Sequence, residues 1–538
     1  MKKTLPYFIY LILALALIAS LFTLGCSTTQ STGGASSSTA KSGTSTSQAQ
    51  AGGILKIASS TDFQTFGDPP TMTMASDLKS IRCCVEELIN FDAAGAPAPG
   101  LATSWKADTN AKTLTLSLKN GIKFHDGTDF NASAVKWNLD RYVASKRADL
   151  ASIKSVDVVD DYTVRLNLTQ NSGVLLFYLG QYGGLMVSPT AWQNGGSDDK
   201  ARTTKAQMNP VGTGPFKFVS WQKDVGAKFV KFADYWQKGK PYLDEIDFTL
   251  IADPVVAQAS FLKGDVDVLQ DIRDPKVARD LETTGKYNIT ISNTAVVTLA
   301  GDSEHPNSVY SKVKVRQAVW YAVDTKAIAS TLGYGYWQSL NQYSLPDSWA
   351  YNSDVKGYPY NPEKAKQLLS EAGYPSGFQT KIITSNAPPW PDEAAAMQKN
   401  LAAVGIQATI ELRDFASWIQ AVSRTGWNDA LMLSMVSQSP NEYANQVFRF
   451  ARGTTAKSPV VLTPDEYCDL IDKASAAPDF EAMKPIAQQM ARMAVDQYCI
   501  QIYPYTQPSI VAKNGKLRDD NLNAGMSSWT PSVSWLAK

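Results

Sequence analysis

Seven side chains hold most of this sequence's capacity for nucleophilic or metal chemistry: Cys26, Cys83, Cys84, Cys468, Cys499, His125 and His305. Their spacing makes little of it. Cys83 and Cys84 are adjacent, no C-x-x-C pair occurs, and two histidines build neither H-E-x-x-H nor a histidine-rich metal site. No G-x-S-x-G elbow and no Walker-type phosphate loop stand elsewhere, so no metal and no cofactor is expected. An S-x-x-K match from Ser38 to Lys41 falls in a flexible stretch, whereas a catalytic serine needs a rigid scaffold. The chain does not read as an enzyme. Outside the cytoplasm Cys468 and Cys499 could pair, and a Cys83–Cys84 bridge would be strained; buried free thiols are the other reading.

Cys26 is the thiol whose surroundings name its chemistry. Lys2 and Lys3 precede an apolar run from Leu5 to Leu24, and Thr23-Leu24-Gly25-Cys26 closes it. A basic start, an apolar core and a small residue before the break read as an export signal. A cysteine after Gly25 matches a bacterial lipoprotein box, with Thr23 where Leu is most usual, so Cys26 is the expected lipidation site. The other reading is an uncleaved membrane anchor, since the run is just long enough to span a bilayer. Both put the body on the extracytoplasmic face of the membrane. Ser27 to Gly53 is almost all Ser, Thr, Gly, Ala and Gln, with Lys41 its single charge, and is expected to be a tether of roughly 30 Å.

The 538 residues are too many for one core, so two or three domains are expected. With 51 basic residues against 50 acidic ones and no long basic run, nucleic acid is not an expected partner. No second apolar stretch approaches membrane length, so a soluble, monomeric body is expected. Thirteen Trp and 23 Tyr supply core and also recognition surface.

Several elements must position whatever is recognised. Strands are expected at Ile54–Ala58, Lys112–Leu118, Ile122–Phe124, Val156–Val159, Thr163–Leu168, Pro215–Trp221, Ala227–Phe232 and Gln407–Leu412, mostly from period-two alternation. Helices are expected over Ser80–Asn90, from Asn131 to Val143, and over Asp253–Leu262, Lys312–Leu332, Glu363–Ala372 and Pro391–Val404. The clearest is Glu363–Ala372, with Asn361 as cap, Pro362 in the first turn and Gly373 as the stop. The mixture predicts an α/β fold with parallel or mixed sheets and a more antiparallel insertion.

An ordered set of segments runs through this frame. Leu101-Ala102-Thr103-Ser104-Trp105 comes first, then Leu118 to Thr128 with Asn131–Trp137 behind it, then Pro210-Val211-Gly212-Thr213-Gly214-Pro215-Phe216. Asp234-Tyr235-Trp236 and Lys240-Pro241-Tyr242-Leu243-Asp244 follow, then Val315-Arg316-Gln317-Ala318 with Tyr321-Ala322-Val323-Asp324, and last Tyr360 to Tyr374. In this order they resemble the solute-binding proteins of peptide and nickel ABC importers, the dipeptide- and oligopeptide-binding family. Each segment also has a structural reading: Gly121, Gly127, Gly212 and Gly214 stand where turns need unusual backbone angles, and His125 reads as a hydrogen-bonded structural residue.

The resemblance implies a periplasmic-binding-protein-like two-lobed clamp (type II, cluster C) with an additional inserted domain. Signal peptide and lipobox would occupy 1–26 and the tether 27–53. Lobe I would comprise 54–90, 200–290 and 505–538, an inserted lobe II 91–199, and lobe III 295–500. Two connecting strands would hinge lobes I and III, which close on a small solute and present it to ABC permease subunits. Expected ligand-binding residues are Thr61, Phe63 and Phe66 from lobe I, and Trp390, Trp418, Trp427, Asn428, Asp429 and Gln438 from lobe III. In peptide-binding relatives an aspartate here pairs with the peptide amino group; this sequence has Ser437-Gln438-Ser439-Pro440-Asn441-Glu442. Asp429 or Glu442 substitutes, or the solute is not an ordinary free-amino peptide, and oligosaccharide enters as the alternative to peptide. A solute sensor without a dedicated importer is the other alternative. The nickel branch is disfavoured by the two histidines.

Overall fold

A computed structural model describes residues 49–63, 67–72, 78, 81–293, 295–437, 450–452, 460–518 and 529–538. Three larger sheets organise them. Sheet I holds seven strands in the order β12 (Tyr287–Ser292), β17 (Ser509–Asn514), β11 (Val268–Ile272), β1 (Ile54–Ser59), β10 (Glu245–Leu250), β9 (Gly226–Lys231) and β8 (Phe216–Gln222). β1 runs parallel to β10 and β11, while β17 and β9 are antiparallel to their neighbours. Alternation divides the side chains between two cores. Leu55, Ile57, Val268 and Phe248 pack on one face with Phe63; Ala58, Leu269, Ile510 and Ala512 pack on the other under helices Pro254–Lys263 and Pro275–Thr283.

Sheet II is antiparallel, in the order β4 (Ala102–Asp108), β5 (Thr113–Leu118), β7 (Thr163–Leu168) and β6 (Ile153–Asp160). β5 buries Leu114, Leu116 and Leu118 at every second position. Helix Ala132–Ala144 covers that face through Ala132, Val135, Leu139 and Tyr142, and Asn131 caps it by accepting from Ala134 N at 3.0 Å.

Sheet III has the order β13 (Ala295–Gly301), β16 (Leu431–Ser437), β14 (Phe378–Ser385) and β15 (Ile406–Arg413), parallel except for β13. Helices Val313–Ala322, Pro362–Glu371 and Trp390–Ala402 pack around it into the largest core. Two shorter pairs complete the strands: β2 (Ile89–Phe91) with β3 (Pro97–Pro99), and β18 (Leu517–Arg518) with β19 (Trp535–Leu536).

Four local expectations are corrected. The helix expected over Ser80–Asn90 is absent from residues 82–90. After one turn at Ile81, the carbonyls of Cys83 and Cys84 accept from Phe216 N and Gly214 N, both at 2.8 Å, and the Glu87 carbonyl accepts from Leu101 N. Long-range backbone pairing has taken the groups a helix would use. The same contact explains two glycines differently from the sequence reading. A Cβ on Gly212 would lie 2.3 Å from the Cys84 oxygen and one on Gly214 2.6 Å from the Cys84 carbonyl carbon, so close approach demands glycine there. Gly121 and Gly127 do take positive φ, 73° and 85°. Lys312–Leu332 divides into Val313–Ala322 and Thr325–Leu332 because Asp324 caps the second helix, accepting from Ala327 N at 3.0 Å. Ile122–Phe124 forms only a bridge from Lys123 to Asp129.

The cysteines settle as follows: Cys83, Cys84, Cys468 and Cys499 are all buried free thiols, with no Cys468–Cys499 bridge.

Candidate functional site between two strand edges

Only a few residues join sheet I to sheet III. β12 ends at Ser292 and β13 begins at Ala295; the chain returns from Thr506 through Gln507 to β17 at Ser509. The two crossings touch, Gln507 N donating to the Ala295 carbonyl at 2.9 Å. Register fixes which edges they join. Ser292 pairs with Ser509, and Ile272, the last residue of β11, pairs with Ile510, so both crossings leave sheet I at the carboxyl ends of its parallel strands. Ala295 pairs with Ser437, the last residue of β16, so both enter sheet III at the carboxyl ends of β14, β15 and β16. The loops at these two edges therefore share one junction. In open α/β sheets, ligands bind outside the carboxyl ends of the strands.

The sheet I edge begins with Ser59 to Phe63. Ser60 Oγ donates to the Asp271 carboxylate at 2.8 Å, and Asp62 accepts from Trp221 Nε1 at 3.0 Å and from Asp224 N at 2.9 Å. Thr61 is exposed, while Phe63 is buried edge-on to Phe248, with centroids 5.6 Å apart.

At the sheet III edge, Trp390 opens the helix that follows β14, and Trp418 lies in helix Phe415–Gln420 after β15. Asp414 starts that helix, accepting from Ser417 N at 3.0 Å. The two indoles pack tilted at 49° with centroids 5.3 Å apart; both are buried, and Trp418 Nε1 donates to the Leu433 carbonyl at 3.2 Å. Phe415 lies 5.9 Å from the Trp418 ring and is 61% exposed, an accessible aromatic that hydropathy alone did not single out. Its signal was present: an aspartate cap directly after a strand.

Behind this rim sits Glu393, fully buried on the first turn of its helix. It accepts from Tyr505 Oη at 2.8 Å and from Gln507 Nε2. Burial outweighs those bonds and pushes its pKa up to about 8. Glu393 and Gln507 were not anticipated, because their partnership links residues more than a hundred positions apart.

The structure parts the remaining candidates. Trp427, Asn428 and Asp429 precede β16, so they lie at the opposite end of that strand, about 20 Å from the crossings at some 3.3 Å per residue. Trp427 is buried, its Nε1 bonded to the Ala300 carbonyl at 3.0 Å; Asn428 and Asp429 are exposed, with Asp429 N donating to Asp302 at 2.9 Å. Phe66, Gln438 and Cys26 lie outside the described residues. His125 Nε2 donates to the Gly214 carbonyl at 2.8 Å, and burial holds its pKa down to about 4, which makes it a neutral strut. Among the described residues no cluster of three or more His, Cys, Asp or Glu is placed to hold a metal, and no helix is long and apolar enough to cross a membrane.

Residues 96–455 match the family model described as bacterial extracellular solute-binding proteins, family 5 Middle. The chain belongs to that family. Among curated relatives, this family 5 protein is 33% identical to the glutathione-binding protein GsiB of Shigella flexneri over 320 residues, 58% of this chain and 60% of the relative. The same-named protein of Escherichia coli K12 is 32% identical over the same length. The chain thus spans about three fifths of the curated relatives it matches. Among solved structures it resembles AgaA from A. tumefacien R10 in complex with agropinic acid (26% identity, TM-score 0.70, 90% of this chain, 99% of that one). At 23% identity and a TM-score of 0.70, it shares its fold with DppA from Helicobacter pylori in complex with peptide STSA, across 91% of this chain and 99% of that one. The fold is the α/β two-lobed clamp of periplasmic binding proteins. The curated relatives are named as glutathione-binding, and the two solved structures hold agropinic acid and a peptide.

Proposed function

We propose that this family 5 protein is the lipid-anchored receptor of an ABC importer, which captures a peptide-like solute between two lobes and delivers it to a membrane permease. Sheets I, II and III are the cores of the three lobes, and the two crossings, after Ser292 and after Thr506, are the hinge. The observation that carries the reading is that two strand edges meet at one two-stranded junction. Loops there can close on a guest without either sheet being remodelled, and contacts made by both lobes shift the open–closed equilibrium. Thr61 and Phe63 supply one wall; Trp390, Trp418 and Phe415 supply the other, with Phe66 and Gln438 as further contributors. Aromatic walls with a few polar groups are what such pockets use. Trp427, Asn428 and Asp429 serve the far edge of lobe III in this reading. The relatives named as glutathione-binding, and the neighbour holding a peptide, support a peptide-like guest.

The test uses protein trimmed to begin at Ala49. Thermal melting with glutathione, di- and tripeptides, oligosaccharides and nickel chelates should show a rise with peptides only. A rise confined to oligosaccharides overturns the peptide assignment, and no rise with any class overturns the receptor reading. Acylation of the full chain, followed by mass spectrometry and lost in Cys26→Ser, tests the anchor.

A further inference from the structure

Three polar atoms near the carboxyl edge of sheet I find no partner among the described residues. Gln270 on β11 is 6% exposed, and its Nε2 is sealed from solvent without a hydrogen-bond acceptor. Thr290 Oγ1 on β12 and Asn293 Oδ1 on the first crossing are sealed and unpartnered in the same way. Folded chains rarely leave such groups unsatisfied without a reason.

Register aligns two of them, Gln270 and Thr290. Thr290 pairs with Val511, and between Leu269 and Ile272 the β11–β17 ladder slips, so that Gln270 and Asp271 together oppose Val511. Thr290, Val511 and Gln270 thus form one row across three neighbouring strands. Val268 belongs to the core that holds Phe63 and Leu269 to the opposite one, so alternation returns Gln270 to the Phe63 face. Ile289 packs against the opposite core, which leaves Thr290 on the Phe63 face too. Asp271 completes the bulge at a φ of 56°, a left-handed conformation that aspartate and asparagine adopt more readily than most residues. Bulges of this kind gather next to functional sites, where they re-aim a side chain.

We propose that Gln270 and Thr290 form a lobe I subsite for an uncharged amide group of the solute. The solute carbonyl accepts from the Gln270 carboxamide N–H, and the solute N–H donates to the Thr290 hydroxyl oxygen. Neither side chain carries charge, so the subsite suits a main-chain peptide unit rather than a terminal ammonium or carboxylate. Rotation about the Gln270 stem brings its amide to the guest. This assignment rests on the peptide-receptor reading above.

Calorimetric titration of protein beginning at Ala49 tests it, with glutathione and trialanine as probes and Gln270→Leu as the variant. Removing an unsatisfied buried amide for an apolar group of similar size leaves folding unharmed. The expected result is a Kd at least about tenfold weaker for the peptide that binds wild type, with a melting temperature equal to or above wild type. A Kd that does not move overturns the subsite. A weaker Kd accompanied by a lower melting temperature also overturns it, since the amide would then belong to the fold. Wild type binding neither probe overturns the peptide reading itself, and the subsite with it.

Discussion

The side-chain amide of Gln507, on the second crossing between the sheets, donates to the buried carboxylate of Glu393, on the helix that follows β14. Tyr505 Oη donates to the other oxygen at 2.8 Å. The crossing is thereby tied to the helix at the sheet III edge through an acid whose charged neighbour, among the described residues, is Asp392, which raises its pKa further.

Because burial raises the Glu393 pKa to about 8, the native state holds a proton that the unfolded chain releases near pH 4.5. The stabilisation from this group is therefore complete below pH 4.5, declines as pH rises to about 8, and is flat beyond. Glu393→Gln, fixed neutral, should remove that decline. Melting temperatures of wild type and variant across pH 4–9 check it: wild type should lose ground steadily across the window, by at most about 1.4 kcal/mol per pH unit. Parallel curves would sink the assignment.

Arg316 is 4% exposed and donates only to backbone carbonyls: Nε to Cys499 at 3.0 Å, Nη1 to Tyr310 at 2.7 Å and Ser311 at 2.9 Å, and Nη2 to Tyr498 at 2.5 Å. Only a planar fork reaches all four. Arg316→Lys should cost about 2–4 kcal/mol in urea denaturation, because a single ammonium leaves several of these acceptors unmet. A loss below about 0.5 kcal/mol would show the network to be dispensable.

Gly214 and Gly121 should respond differently to alanine. At Gly214 the new methyl meets backbone at 2.6 Å, which cannot yield as a side chain would; at Gly121 it meets open space, and only the φ of 73° is strained. Gly121→Ala should lower stability by about 1–2 kcal/mol and Gly214→Ala by clearly more, read from paired denaturation curves. Equal losses would contradict the close approach of the two segments.

Burial pushes the Cys499 thiol up to about 12 and the Cys83 and Cys84 thiols higher still. Native protein beginning at Ala49 should therefore resist maleimide, and denatured protein should release four reactive thiols without a reductant. Fewer than four would reveal a disulfide.

Local elements were readable where chemistry acts over a few residues. Asn361 and Gly373 bound the helix now seen as Pro362–Glu371, and alternation found β5, β7, β8 and β9 to within a residue or two. Reading failed over Ser80–Asn90, where the pattern favours a helix but the carbonyls of Cys83 and Cys84 bond to Phe216 and Gly214, more than a hundred residues away. The site was partly legible. Trp390 and Trp418 follow strands at the edge of sheet III that the crossings enter, whereas Trp427, similar in type and neighbourhood, precedes its strand and falls on the opposite edge.

By itself the sequence determined the ordered motifs that place the chain in its family, the caps and turns, and the near-balance of charge. Those properties reside in residue types and short spacings. The tertiary structure decided which strand edges meet, that Glu393 is clamped by Gln507, and that Gln270 is left without a partner. Each depends on register between strands far apart in the chain, and a shift of one residue would turn every side chain to the other face.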